Sequence, residues 1–128
     1  MTSVISHTTV DSRDAYAMSV FWADVLGFHD DPEDPNEPGH EECGIWSPDG
    51  TQKLLFVEVP DDKVVKNRVH LDLEPAEGSR DDELARLLGL GARQVADLRR
   101  PDGGGWVVLA DPEGNEFCIL RNRAERSA

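Results

Sequence analysis

The residues best suited to chemistry sit together in residues 67–73, which read Asn-Arg-Val-His-Leu-Asp-Leu. Polar and apolar residues alternate strictly there. Strand side chains point to opposite faces in turn. The spacing predicts a strand that buries Val69, Leu71 and Leu73 and turns Arg68, His70 and Asp72 the other way. Such a strand lines a polar pocket with an imidazole and a carboxylate. His7 lies 63 residues earlier in a second strand-like stretch. A lone histidine on a strand is usually a satisfied structural residue; two at matching places in a repeat argue for a site.

Around these residues the pattern predicts a series of short elements. A first strand runs over 4–10. Asp11 and Ser12 suit a helix cap. The helix over 13–26 carries Ala17, Val20, Phe21, Val25 and Phe28 as its apolar stripe, and Gly27 stops it. Residues 29–42 hold seven acidic residues between Pro32, Pro35 and Pro38. The prolines break the ligand alternation of a calcium loop, so this reads as a solvated acidic loop, with a short strand at most at its start. Strands follow over 43–46 and 53–59, joined by the turn Ser47-Pro-Asp-Gly50. After residues 67–73, Ser79 begins a capping box with Asp82 in the place of Glu. That helix has Leu84, Leu87 and Leu88 as its stripe and ends at Gly89 or Gly91. Strands over 94–99, 106–110 and 116–120 complete the pattern, and a polar, frayed tail follows Arg121.

A chain of 128 residues forms one compact domain or two small halves with a shared core. The net charge of −13 disfavours nucleic acid and anionic membranes as partners and favours solubility. No apolar run approaches the ~18 residues of a membrane span, and the first residues lack the basic and apolar regions of a signal peptide. Cys43 and Cys118 form no disulfide framework, which makes the expected location cytoplasmic, with reduced thiols.

The two halves repeat. Ala23-Asp-Val-Leu-Gly-Phe28 answers Ala85-Arg-Leu-Leu-Gly-Leu90 at an offset of 62, Ser47-Pro-Asp-Gly50 answers Asp111-Pro-Glu-Gly114 at 64, and His7 answers His70 at 63. Each half therefore reads strand, helix, strand, strand, strand, with modules at 1–62 and 63–128. A half of this length buries too little surface alone, so the expected fold is α+β: two βαβββ modules whose mixed sheets form a cleft.

These landmarks resemble the vicinal oxygen chelate superfamily, which includes glyoxalase I, extradiol dioxygenases and the fosfomycin- and bleomycin-resistance proteins. The resemblance rests on His7, Asp14, Phe21, Leu26 and Gly27 in the first half, and on His70 and Asp111-Pro-Glu-Gly-Asn115 in the second. The wording of the second half is most similar to the glyoxalase-like domain subgroup. The resemblance covers nearly the whole chain.

It implies a divalent ion (zinc, nickel, manganese or iron) held by the first-strand His, the fifth-strand His and a last-strand Glu. His7 and His70 carry over. The glutamate does not: four residues after the turn glycine stands Cys118, and the counterpart four after Gly50 is Leu54. Cys118 can itself be a ligand, since zinc accepts two His and one Cys with a position left open. Glu116 shares its face, and Glu58 offers a carboxylate from the fourth strand. The remaining reading has no metal, with Cys118 as a small core hydrophobe.

Two functions follow. The first is a metal-dependent lyase or isomerase of the glyoxalase type, with His7, His70 and Cys118 as ligands and Glu116 or Glu58 as the proton-transfer base. Asp72, Trp46, Trp106 and Arg68 then line the substrate side. The second is a binding or resistance protein that sequesters a small antibiotic-like molecule without metal or turnover. The resemblance also implies a homodimer.

Overall fold

Asp14 begins the first helix. Its backbone is extended and its carboxylate accepts the Ala17 amide at 3.0 Å, so Asp14, not Asp11 or Ser12, is the cap. Helix α1 (Ala15–Leu26) ends at Gly27, whose φ of 69° suits glycine and whose amide returns to the Ala23 carbonyl. The helix buries Ala15, Met18, Ser19, Phe21, Trp22 and Val25. The buried stripe is therefore rotated from the expected one. Ala17 and Val20 face out because Met18 and Trp22 offer more apolar surface to bury.

The computed structural model describes residues 1–127, and the chain divides into two units, Met1–Lys63 and Val64–Ala128. The first holds β1 (Thr8–Ser12), α1, β2 (Glu42–Trp46) and β3 (Lys53–Glu58). Its sheet runs β1-β3-β2, with β1 parallel and β2 antiparallel to β3. Cys43, Ile45, Leu54 and Phe56 are buried, and the Cys43 thiol meets the Ser19 hydroxyl of α1. This face of the sheet packs on the helix. Gly44, Trp46, Lys53, Leu55 and Val57 take the opposite face by alternation. The first strand starts later than expected, and Val4 and Ile5 are exposed. The strand expected at the start of the acidic loop shrinks to isolated bridges, Asp31 with Asp34 and His29 with Trp46, the latter exchanging backbone hydrogen bonds of 2.9 and 2.7 Å.

The second unit holds β4 (Asp72–Leu73), α2 (Arg80–Gly89), β5 (Arg93–Asp97), β6 (Trp106–Ala110), β7 (Glu116–Leu120) and α3 (Arg123–Ser127). Its sheet runs β4-β7-β6-β5 with β4 parallel to β7. Each sheet is mixed and each unit pairs it with a helix, so the fold is α+β with two modules of glyoxalase type. Val107, Leu109, Phe117 and Ile119 are buried with Leu84 and Leu87 of α2, while Leu88 lies outside the stripe. Ser79 caps α2 by accepting the Asp82 amide at 3.1 Å.

Two expectations fail here for visible reasons. The strand over 67–73 contracts to Asp72–Leu73, and Val69 is exposed rather than buried. The parallel register sets Asp72 beside Cys118, so residue 70 comes level with Glu116, where β7 begins, and the ladder runs out. The tail, expected to fray, instead starts α3. Asn122 Oδ1 accepts the Glu125 amide at 2.7 Å and Glu125 Oε1 accepts the Asn122 amide at 3.0 Å, a reciprocal cap. Among the described residues no helix is long and apolar enough to cross a membrane.

Candidate functional site

The open face of the β4-β7-β6 ladder arranges side chains in rows. Trp106 lies opposite Leu120, Val108 opposite Cys118, and Cys118 opposite Asp72. Glu116, two residues before Cys118, shares its face, and His70 lines the same hollow. Leu98 adds to the first row, since its amide donates to the Trp106 carbonyl at 2.9 Å. Together with Lys66 these residues line a hollow of about 490 Å³, within the usual size range for small-molecule sites.

The polar end is compact. His70 Nε2 stands 3.4 Å from Asp72 Oδ1, and the ligand-type atoms of His70, Asp72 and Cys118 all lie within 4.8 Å of one another. Asp72 therefore faces His70. Cys118 is buried, and burial first, then the neighbouring Asp72 carboxylate, push its thiol up to about 11. At neutral pH it is a thiol hydrogen-bonded to Asp72. Glu116 Oε2 accepts the Asn67 amide at 3.0 Å, which fixes the carboxylate at the edge of the hollow.

This donor set fits a borderline-soft ion. Nitrogen, carboxylate oxygen and sulfur are all zinc ligands, and three of them leave a fourth position open. Ligands around a tetrahedral zinc sit roughly 3–4 Å apart, so modest rotation of the exposed His70 and Asp72 side chains closes the set. Binding would require the Cys118 proton to leave.

The other candidate residues lie elsewhere. Arg68 is exposed and does not line the hollow. His7 belongs to the first unit, just before β1, with Nδ1 2.9 Å from Ser6 Oγ. Trp46, also in that unit, carries the Lys53 ammonium 4.9 Å above its ring and borders a hollow of about 280 Å³ with His29, Asp31 and Asp49. Glu58 ends β3, exposed, and alternates with Leu54 and Phe56 on the helix side of its sheet.

The structure corrects one equivalence. Thr9 pairs with Leu55 and Leu55 with Gly44, as Asp72 pairs with Cys118 and Cys118 with Val108. The counterpart of Cys118 is therefore Leu55, not Leu54. The first hairpin connection, residues 47–52, is one residue longer than the second, 111–115. Counting from the turn glycine missed this. His7 and His70 keep equivalent places, each two residues before the paired Thr9 or Asp72.

Two motif aspartates are architectural. Asp14 is the cap described above. Asp111 is buried and accepts the Glu113 and Asn115 amides at 3.0 and 2.9 Å and the Asn115 side-chain amide at 3.0 Å, which shapes the last turn. Sequence reasoning missed Lys66, Leu98, Val108 and Leu120 in the hollow. The period of two through Trp106–Val108 and Glu116–Cys118–Leu120 was the signal for the last two.

Two mixed sheets, each paired with a helix, and a hollow on an open sheet face define a protein of the glyoxalase class. The Glyoxalase-like domain family matches residues 7–120, and the chain belongs to that family. No curated protein matches the sequence. Solved structures are similar in fold. One is a mutant of the fosfomycin resistance protein FosX from Listeria monocytogenes, complexed with Mn(II) and 1S,2S-dihydroxypropylphosphonic acid: TM-score 0.69, 17% identity, 98% of this chain and 96% of that one. Another is a glyoxalase/bleomycin resistance protein/dioxygenase family enzyme from Burkholderia phytofirmans: TM-score 0.65, 21% identity, 89% and 94% covered. A third, a possible glyoxalase from Bacillus cereus, has TM-score 0.63 and 14% identity, with 93% and 99% covered.

Proposed function

We propose that this chain is a small-molecule enzyme of the glyoxalase type, a lyase or isomerase that works with a divalent ion held by His70, Asp72 and Cys118. The observation that carries the reading is the convergence of those three donor groups within 4.8 Å in the hollow. The Mn(II) held by the FosX neighbour supports metal chemistry in this fold. The sulfur donor favours zinc over manganese here.

A bound ion would supply Lewis acidity to the oxygens of a substrate. The chain's own groups do the rest. Glu116, held by the Asn67 amide, takes the proton from the substrate carbon. His70, Asp72 and Cys118 would hold the ion at the polar end, and Trp106 and its apolar neighbours keep water from the other end.

Metal content by mass spectrometry, on untagged protein purified without chelator, tests the reading. Near-stoichiometric zinc that disappears in His70→Ala and in Cys118→Ala is the expected result. Full zinc occupancy in the double variant would sink the reading. His7→Ala, measured alongside, tests the ligand role that the resemblance gives His7.

One observation favours a second reading: the Cys118 thiol is held protonated beside apolar walls. A binding protein without metal is then expected to gain thermal stability from its ligand in the presence of chelator. The proposal extends to a homodimer, for which light scattering should give twice the 14.2 kDa of the chain.

A further inference from the structure

The rows of the hollow grade from apolar to polar along the strands. One end is Trp106 and Leu120, with Leu98 beside Trp106. Two residues further along come Val108, Cys118 and Asp72, with His70 Nε2 3.4 Å from Asp72, and two further again Glu116. Each step of two residues is about 6.6–6.8 Å. The floor is one face of a sheet, so it is broad and shallow in relief. Trp106 presents 38% of its surface and Leu98 45%, large apolar groups left uncovered beside a polar cluster.

We infer that the ligand of this hollow is a flat, largely apolar molecule. It stacks on Trp106 between Leu98 and Leu120 and carries its polar group at one end only, against His70, Asp72 and Glu116. The inference rests on the proposed reading of the same hollow as the substrate site. A flat ring of two fused cycles covers the first two rows, and its substituent reaches the third.

The charges at the polar end set what that substituent is. Two carboxylates, Asp72 and Glu116, stand against one ammonium, Lys66. Without metal this end repels a carboxylate on the ligand and accepts a hydroxyl. A divalent ion reverses that balance. A small, fully polar phosphonate leaves Trp106, Leu98 and Leu120 uncovered and gains nothing from the apolar rows.

The test is titration calorimetry on the full chain with three probes: 2-naphthol, 2-naphthoate and phosphonoacetate. Each is measured in chelator and again with zinc. Saturable binding of 2-naphthol in chelator, weakened at least tenfold in Trp106→Ala, is the expected result. Amide chemical-shift changes on adding 2-naphthol should centre on Leu98, Trp106, Val108 and Leu120. They give the answer if Trp106→Ala does not fold. The inference is overturned by absent 2-naphthol binding, by equal affinity in a folded Trp106→Ala, by shifts centred elsewhere, or by phosphonoacetate binding more tightly than 2-naphthol in chelator. The metal reading fails separately: it requires zinc to tighten 2-naphthoate at least tenfold while changing 2-naphthol little.

Discussion

Asp14 and Asp111 carry two of the motifs through which this chain resembles its family, and both work on the backbone. Asp14 satisfies an amide that α1 would otherwise leave open. Asp14→Ala is expected to cost about 1 kcal/mol, in the usual range for a lost cap. Chemical denaturation reads that loss as a lower midpoint at unchanged slope. The zinc uptake proposed for the His70 cluster should be unaffected, because Asp14 belongs to the other unit. Asp111→Ala removes three accepted hydrogen bonds from a half-buried turn. It should cost more, about 1–3 kcal/mol, because three half-buried donors lose one buried acceptor. Residues 67–73 show what was legible at this scale. Alternation placed His70 and Asp72 on one face, and they lie together. It also buried Val69, which fails because no strand continues beside it. Alternation records the faces of a strand but not how far its neighbour reaches.

At the scale of elements, the connection from β5 to β6 is held from beneath by Arg80. This buried guanidinium donates through Nη1 to the carbonyls of Gly103, Gly104 and Gly105 at 3.1, 3.2 and 3.1 Å, and through Nε to Asp81 at 3.1 Å. Arg80→Met would strip all three carbonyls of this donor and should cost about 1–3 kcal/mol, the usual penalty for polar groups left without a partner. Arg80→Lys should rescue only part, since a single ammonium lacks the planar fork. Gly105 has a φ of 83°, and a β-carbon there would collide with the Leu98 carbonyl. Gly105→Ala should therefore move Leu98 and Trp106, which an altered Trp106 amide shift would report. Above the clamp, Arg99 grips both oxygens of Asp97 at 2.9 and 2.7 Å and reaches Asp81 at 3.2 Å. Those hydrogen bonds hold the Asp97 carboxyl at about 2, below its usual 3.8. A depressed carboxyl contributes stability that is full above its unfolded pKa and lost as pH falls through the folded one. The stability gap between the wild type and Asp97→Asn should therefore narrow between about pH 4 and 2, in denaturant titrations at each pH. A gap independent of pH would remove the pairing from the stability of the fold. None of this clamp was legible beforehand. An arginine at the first position of a helix reads as a surface charge until the glycine carbonyls appear around it.

At the scale of the whole molecule, the two units keep one strand order despite unequal connections. The extra residue in 47–52 is absorbed before Lys53, so the buried and open faces of β3 match those of β7, with Leu55 in the place of Cys118. A slip of one residue within the ladder would have turned Leu54 and Phe56 away from α1. The repeat was legible because its landmarks lie in turns and helix ends. The shift was not, because it falls between landmarks. Charge is shared unevenly: of 26 acidic and 13 basic residues, the first unit holds 14 and 3 and the second 12 and 10. The acidic residues of the 29–42 loop are mostly exposed, and Asp30, the half-buried one, accepts the Asn36 amide at 2.9 Å through its carboxylate. So dense an excess of one sign repels itself in the compact state. Salt shortens the Debye length from about 30 Å at 0.01 M to about 8 Å at 0.15 M, below the span of a unit. The melting temperature should therefore rise by a few degrees, roughly 1 kcal/mol in stability, between those two NaCl concentrations. The surface pairs, such as Arg13 with Asp62 and Arg86 with Glu83, weaken over the same range. Because exposed pairs contribute little each, the net repulsion should win. A melting temperature that falls with NaCl would mean that the pairs outweigh the excess.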